Sequence, residues 1–353
     1  MINTVVKPAA RKIRKYITTL FINVLKVFFK HRIFVKGEFI DLAIREELIG
    51  IDELKKIICS YADRVNIVKE IINSGVLKAE DVLSATIDTG ALSFIEAVQI
   101  CLQKNYLEIR QLYSALYICG DGIEIGALNK PLKVSSAAKV SYVDRTPNEQ
   151  LKEHYSDIDT FLNVDIVDNG EKLATIADSS QDFVIANHFL EHCENVIEAL
   201  NNMLRVLKLK GILYLAVPDM RYTFDKDRQT TSFKHLLMDY TEGTETSRDA
   251  HYRDWAEHVV MYEHWNAHCR EESSYCDWLT NIDSFKKEKY INRWTSELMS
   301  KSYSIHFHVW SPVEILQMLT SYKTLSIYDF EVLTVTASNG EIIIILERGD
   351  IRK

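Results

Sequence analysis

An α/β architecture, with a parallel sheet and helical crossovers, is predicted by three observations. After residue 115, short apolar runs alternate with segments of helical period. Between the fourth and fifth runs, Val196, Leu200, Met203, Leu204 and Leu207 recur on one helical face, the pattern of a crossover packed on a sheet. Near the end, Asn339-Gly340 stands between two β-rich runs, the strongest local hairpin signal, so the sheet closes in an antiparallel pair. The 353 residues suffice for a full core and point to two domains or to one domain with large additions.

Residues 1–36 form a basic leader with nine Lys/Arg and no acid. Its apolar stretch "YITTLFINVLKVFF" spans 14 residues with Lys26 inside, short of the roughly 20 that cross a bilayer. An interfacial helix on anionic lipid, an amphipathic helix packed on protein, and a targeting sequence all fit this pattern. Residues 37–113 read as a helical accessory module: "FIDLAIREELIG", "IDELKKIICSYADRVNIVKEIINSG", "AEDVLSATI" and "FIEAVQICLQKN" space apolar residues by three and four, with Gly50, Gly75 and Gly90 as stops.

The strands expected from 114 onward are "GIEIG" (122–126), "KVSYVDR" (139–145), "NVDIVDN" (163–169), "DFVIANH" (182–188) and "GILYLAVPD" (211–219). Ser311-Pro312-Val313-Glu314 is a capping box with proline at the first helical position, so a helix follows over "VEILQML". "FEVLTVTAS" and "EIIIILER" are the two arms of the hairpin.

The net charge of −8 conceals an asymmetry, since everything after the basic leader sums to about −17. Such a body repels polyanions and argues against a nucleic-acid partner. The six cysteines include no CxxC pair and follow no small-domain spacing, so neither a zinc knuckle nor a disulfide framework is indicated, and a reducing cytoplasm fits best.

Open α/β sheets bind ligands at the carboxyl ends of their strands. Those ends are the 122–131 turn, Asp144, Asp168-Asn169-Gly170, Asn187-His188 and Pro218-Asp219. If "GIEIG" is a strand, Gly126 is the only glycine in its turn, and Glu124 stands where a phosphate would be repelled. With no Walker lysine motif either, a phosphate ligand is disfavoured. A cationic ligand suits the turn better: Glu124 attracts it, Gly126 admits close backbone approach, and Asp144 accepts from a ribose diol. S-adenosylmethionine carries those groups. A loose glycine pattern at Gly120, Gly122 and Gly126 keeps a dinucleotide-dependent oxidoreductase open as an alternative.

The stretch 120–219 resembles the class I S-adenosylmethionine-dependent methyltransferases, in particular a bacterial type 11-like group whose first motif reads E-I-G-A-L-x-x-P-L, here Glu124 to Leu132. The likeness extends through Asp144 and Arg145, through "DSSQDFVIANHFLEH" (178–192) and through "RVLKLKGILYLAVPD" (205–219), and weakly through "RYTFDKDR" and "HFHVWSP". It implies a Rossmann-like seven-stranded sheet of order 3-2-1-4-5-7-6 with the seventh strand antiparallel. It also implies a donor site at Glu124, Gly126, Ala127, Asp144, Arg145, Asp168, Asn169, Gly170, Asn187 and His188. The departures are Ala127 and Leu128 in place of glycines, Leu209 and Lys210 in place of Pro-Gly, and Asn169 in place of an acid. An Asn carbonyl can still accept from an adenine amino group.

Methyl transfer is mostly positioning, with a base needed only for a hydroxyl or a protonated amine. His188, after the fourth strand, is the first candidate base. His188, Glu191 and His192, at i, i+3 and i+4 of a helix start, resemble the E-x-x-E-H metal set of small-RNA 2′-O-methyltransferases with the first acid replaced. An acid in a first helical turn is equally explained by the helix dipole, and no metal is expected. Asp219, Arg221 and Tyr222 follow the fifth strand, where acceptor-binding segments insert, whereas Asp225 to Arg228 read as a solvated mixed-charge face.

Residues 251–310 hold all five tryptophans and six of the eleven histidines. This insertion, about 220–310, suits a lid over a polar or sugar-like acceptor, or equally a packed insertion. "HFH" at 306–308 alternates like a strand, and His251 and His306 are the expected acceptor contacts. The chain is therefore read as a methyltransferase acting on an oxygen or nitrogen of a small-molecule or glycan-type acceptor. No N/D-P-P-Y/F motif follows the fourth strand, which removes amino-methylation of DNA bases. A non-catalytic binding or assembly protein that kept the fold is the alternative from another class. The expected location is cytoplasmic, with membrane or protein contact through 1–36.

Overall fold

The computed structural model describes residues 108–154, 162–271 and 273–352. The basic leader and all but the last residues of the expected helical module lie outside them. Helix α1 (Ile109–Tyr117) spans the expected boundary at 113/114. The compact unit that carries the sheet comprises residues 120–132 and 139–353.

In that unit the strands are β1 (Gly120–Ile125), β2 (Ala138–Asp144), β3 (Ile166–Val167), β4 (Gln181–Asn187), β5 (Leu207–Pro218), β6 (Tyr328–Ser338) and β7 (Glu341–Ile351). Their order is β3-β2-β1-β4-β5-β7-β6. β1, β4 and β5 pair in parallel, and β7 runs antiparallel to both β5 and β6. This is the expected order, reversed strand included. Between the strands lie α2 (Asn148–His154) and the crossover α3 (Val196–Val206).

The central strands are apolar on both faces, the pattern of strands buried on both sides. Phe183 to Ala186 and Leu213 to Val217 are wholly buried, and Ile342 to Leu346 join them from β7. α3 lays Val196, Leu200, Met203 and Leu204 into this core, and the Asn195 side chain caps it by accepting from Glu198 N at 3.0 Å. β3 is shorter than its sequence suggests. It is an edge strand with Val167 exposed, and only Ile166 and Val167 pair with β2.

The hairpin turns through Asn339 (φ 52°) and Gly340 (φ 80°), both in the left-handed region that a two-residue type I′ turn demands. Before β6, α9 (Pro312–Leu325) begins with the complete capping box, the Ser311 side chain and Glu314 each meeting the other's backbone. The insertion is helical: α4 (Phe233–Glu242), α5 (Glu245–Trp255), one π turn (Ala256–Val260), α6 (Met261–His268), α7 (Tyr275–Asn281) and α8 (Ser284–Ser300). It builds small apolar clusters of its own. Tyr252, Trp255 and Val259 pack with Ile305 and Phe307, and Met261 packs with Ile291 and Trp294. Much of its aromatic density is thus packing. No helix among the described residues is long and apolar enough to cross a membrane.

Candidate active site

Strand register decides which side chains share the sheet's carboxyl edge. Ile125 stands beside Ala186, Asn187 beside Ala216, and Pro218 beside Glu341. The residues that follow, together with the start of β7, therefore assemble from segments far apart in the chain.

The turn after β1 leaves through Gly126 at φ 65°, with Leu128 also left-handed at φ 49°. Gly126 N donates to Val143 O at 2.9 Å, which ties the turn to β2. Among the described residues a Cβ at Gly126 would meet only Phe189, at 3.8 Å, so it is the left-handed backbone and not packing that favours glycine there. Glu124 is buried, and both its oxygens accept from Leu132 N, at 2.9 and 3.2 Å. The acid therefore closes the turn by its own backbone contact. Asn187 Nδ2 reaches Glu124 at 3.5 Å, and Asn187 Oδ1 is buried without a hydrogen-bond partner. Gly120 and Gly122 lie inside β1, so they form no phosphate turn, and the dinucleotide reading is withdrawn.

Asp144 ends β2, and one of its oxygens accepts from Thr146 N and Oγ1, each at 3.2 Å. Ala127 is half-buried in the first turn, and Arg145 is exposed. Asp168 Oδ2 accepts from Thr175 N and Oγ1, both at 2.7 Å. Burial opposes its ionisation, but those donors outweigh the effect and its pKa is lowered. The Asn169 oxygen already accepts from Glu171 N at 2.8 Å, which leaves one lone pair for a ligand. A Cβ on Gly170 would lie 2.6 Å from both Ile125 and Phe189, so this glycine is required by packing beneath the cleft.

His188 leaves β4 in the left-handed region (φ 49°), held by its N–H on Ala216 O at 2.7 Å. Its side chain is 43% exposed and stands between two carboxylates. Nδ1 faces Glu191 Oε1 at 3.4 Å, and Nε2 meets Glu341 Oε1 at 3.1 Å. Glu191, then Glu341, raise the pKa of His188 to about 9. Glu341 is absent from the sequence-derived set. It was findable: the first residue after an Asn-Gly turn, on a strand antiparallel to β5, has to return to the end of β5.

The expected helix start at 188–192 is a single 3₁₀ turn, Leu190–His192. It nevertheless collects Glu191, His192 and His306, whose donor atoms lie within 4.8 Å of one another. His192 Nδ1 is held by Ile305 O at 2.8 Å, and His306 Nδ1 by Asp225 Oδ2 at 2.8 Å. Neither Glu191 oxygen has a hydrogen-bond partner. The sequence reading expects no metal, yet this trio is a donor set that could hold one.

Asp225 and Arg228 correct the reading of 225–228 as a solvated face. They form a buried ion pair at 2.7 Å, and Arg228 also reaches Asp254 Oδ2 at 2.7 Å and His306 O at 2.9 Å. Burial raises the pKa of Asp225, but His306 and Arg228 overcome this and leave it lowered. Asp219, also buried, clamps Arg221 at 2.9 and 2.6 Å and takes part in a bridge with Trp310. Beyond it, Tyr222 (73% exposed) carries the Arg221 guanidinium over its ring at 5.4 Å, and the exposed Phe224 packs against Trp255 and His306.

Residues 306–308 belong to no strand, so the alternation expected for "HFH" is not formed. His306 packs with His192, Phe224 and Trp255, whereas His308 is buried with His235 and His251. His251, expected as an acceptor contact, is taken up by that second cluster. Its Nε2 lies 3.0 Å from His235 Nε2, and burial, then His235, push its pKa down to about 4.

This strand order with its reversed seventh strand is the sheet of the class I S-adenosylmethionine-dependent methyltransferases. Residues 118–215 match the family model described as a methyltransferase domain. The chain is a methyltransferase, and its cofactor is S-adenosylmethionine. Among solved structures it is similar to a S-adenosylmethionine-dependent methyltransferase from Thermotoga maritima, at 15% identity over 76% of this chain and 98% of that one, TM-score 0.33. It is also similar to the CurJ carbon methyltransferase, at 9% identity over 97% and 94%, TM-score 0.33. A third is the methyltransferase CalH, solved with S-adenosylhomocysteine, at 15% identity over 89% and 76%, TM-score 0.32. No curated protein matches the chain.

Proposed function

We propose that the carboxyl ends of β1 to β4 hold the donor. The ends of β4, β5 and β7 would receive an oxygen or nitrogen nucleophile of a small-molecule or glycan-type acceptor. The residues present fit the donor. Asn187 Oδ1, buried and unpartnered beside Glu124, can accept from an ammonium group. Gly126 puts no side chain of its own between a ligand and the backbone at Ala127. Asp144 keeps one oxygen outside its Thr146 contacts for a ribose diol, with Arg145 exposed beside it. Asp168, held by Thr175, and Asn169 would border the adenine, and Gly170 keeps that wall in place by its packing. When bound, S-adenosylmethionine supplies a methyl group on a positively charged sulfur.

One observation carries the acceptor reading: His188, half-exposed at the carboxyl end of β4, stands between Glu191 and Glu341. An imidazole so placed holds a proton tightly, and once deprotonated it is a strong base for an acceptor O–H or N–H. His306 stands against the same Glu191, and Asp219 fixes Arg221 at the end of β5. Tyr222 and Phe224 are exposed aromatic side chains beside this end of the sheet, of the type that sugar rings and aromatic acceptors contact. His251 is left out of the acceptor set because its ring belongs to the buried cluster.

Titration calorimetry tests the donor half: Asp144→Ala is expected to weaken S-adenosylmethionine binding about 10-fold or more, as loss of hydrogen bonds to a charged acceptor does. The acceptor half is tested with methyl-tritiated donor and pools of small metabolites and oligosaccharides. His188→Gln should cut transfer about 100-fold or more while donor affinity holds. Unchanged donor binding in Asp144→Ala, or full transfer by His188→Gln, would overturn the corresponding half.

A further inference from the structure

Outside the cleft, the insertion gathers a second set of polar side chains that methyl transfer does not use. His235 and Asp239 lie at i and i+4 of α4, on one face. His251 comes from α5, and His308 from the extended segment before Trp310. His235 Nε2, Asp239 Oδ2 and His251 Nε2 converge with a ring nitrogen of His308. His235 Nε2 is 3.0 Å from His251 Nε2 and 3.2 Å from Asp239 Oδ2, and one donor atom from each of the four residues lies within 4.8 Å of the others.

Hydrogen bonding among these groups does not satisfy them. Asp239 Oδ2 approaches His235 without hydrogen-bond geometry, and both it and His308 Nδ1 are buried with no hydrogen-bond partner. Asp239 and His308 are 2% and 1% exposed, and orphaned polar atoms at such depth are costly. For three of the four residues, a second atom of the ring or carboxylate is meanwhile held from outside. Ser247 Oγ donates to Asp239 Oδ1 at 2.5 Å, His308 Nε2 lies 3.4 Å from Glu194 O, and the backbone of Phe307 hydrogen-bonds His251. Orientation by outer partners, with the inner lone pairs left facing one another, is how metal-bound histidines and carboxylates are arranged.

We propose that His235, Asp239, His251 and His308 form a closed, four-ligand site for a zinc-type divalent ion, which staples α4, α5 and the 303–309 segment together. Three imidazoles and one carboxylate are a nitrogen-rich set suited to zinc, and four protein ligands leave no open position for chemistry. Bonds of about 2.0–2.1 Å in a tetrahedron put donor atoms roughly 3.3 Å apart, so the two printed pairs at 3.0 and 3.2 Å already match and the others, all within 4.8 Å, close in by at most about 1.5 Å. The ion would fix the insertion that carries His306 and Arg228 without touching substrate.

The test uses the full chain stripped with chelator and dialysed, then titrated with zinc chloride and, separately, cobalt chloride. Expected are a tightly held equivalent of zinc that raises the unfolding temperature and, with cobalt, the intense visible bands of tetrahedral coordination. Asp239→Asn, which keeps the shape, and His251→Ala should each lose those bands and the thermal response. His306→Ala should retain both, which separates this site from the trio at Glu191. A stripped wild-type chain that shows neither a thermal response to zinc nor a tetrahedral cobalt spectrum would overturn the proposal. So would bands that survive Asp239→Asn and His251→Ala but vanish in His306→Ala.

Discussion

His188 should titrate far from an ordinary histidine, and its displacement should be visible in stability as well as in rate. The side chain sits between Glu191 at 3.4 Å and Glu341 at 3.1 Å, which raises its pKa from 6.5 to about 9. At full burial that difference corresponds to about 3 kcal/mol. With 43% of the side chain exposed, solvent screening reduces the contribution to about 1–2 kcal/mol. The sign follows from a folded-state pKa above the unfolded one. The stabilisation is complete below pH 6.5 and is lost as pH rises through about 9.

Urea unfolding of wild type and His188→Gln at a series of pH values between 6 and 10 isolates this histidine from the others. The gap between the two should close by about 1–2 kcal/mol across the window. The ring proton of His188, assigned through the same variant, gives the midpoint directly by NMR. Glu341→Gln removes one of the two carboxylates and should lower that midpoint, while Glu191 keeps it above 6.5. If His188 is the base, kcat/KM should climb with pH until about 9 in wild type and be flat in the variant. A midpoint near 6.5, or a rate profile that His188→Gln leaves unchanged, would refute the bracketing by two carboxylates as the source of its basicity.

Three further outcomes follow from the geometry. Arg228→Met leaves Asp225 and Asp254 without the cation at 2.7 Å from each and should cost about 3–5 kcal/mol in urea unfolding, the usual effect of orphaning a buried charge. Adding Asp225→Asn to that variant should recover part of the loss. Gly170→Ala drives a methyl group to 2.6 Å from Ile125 and Phe189, for an expected loss of about 1–3 kcal/mol, together with weaker donor binding by calorimetry.

Most of the fold was legible in the chain because its signals are local. The capping box at Ser311 to Glu314 and the Asn339-Gly340 turn are contacts between residues three or fewer apart, so spacing alone specifies them. The apolar face of Val196 to Leu204 and the runs at β4, β5 and β7 record burial in their own periodicity. The single glycine turn and Asp144 followed from strand ends, which those runs delimit. β3 shrank because an edge strand gains pairing on one side only.

What the tertiary structure alone decided concerns side chains whose partners lie far away in sequence. Asp225 reads as a surface acid until His306, 81 residues on, and Arg228 are seen to enclose it. Glu341 reaches His188 across 153 residues because β7 returns beside β5. His306 and His308, two residues apart, enter different clusters because the segment between them is neither helix nor strand, and no period governs where its side chains go. Local chemistry determined which backbone would form. Long-range closure of the insertion onto the sheet decided which charges lost their water, and with it which of them can bind a metal or carry a proton.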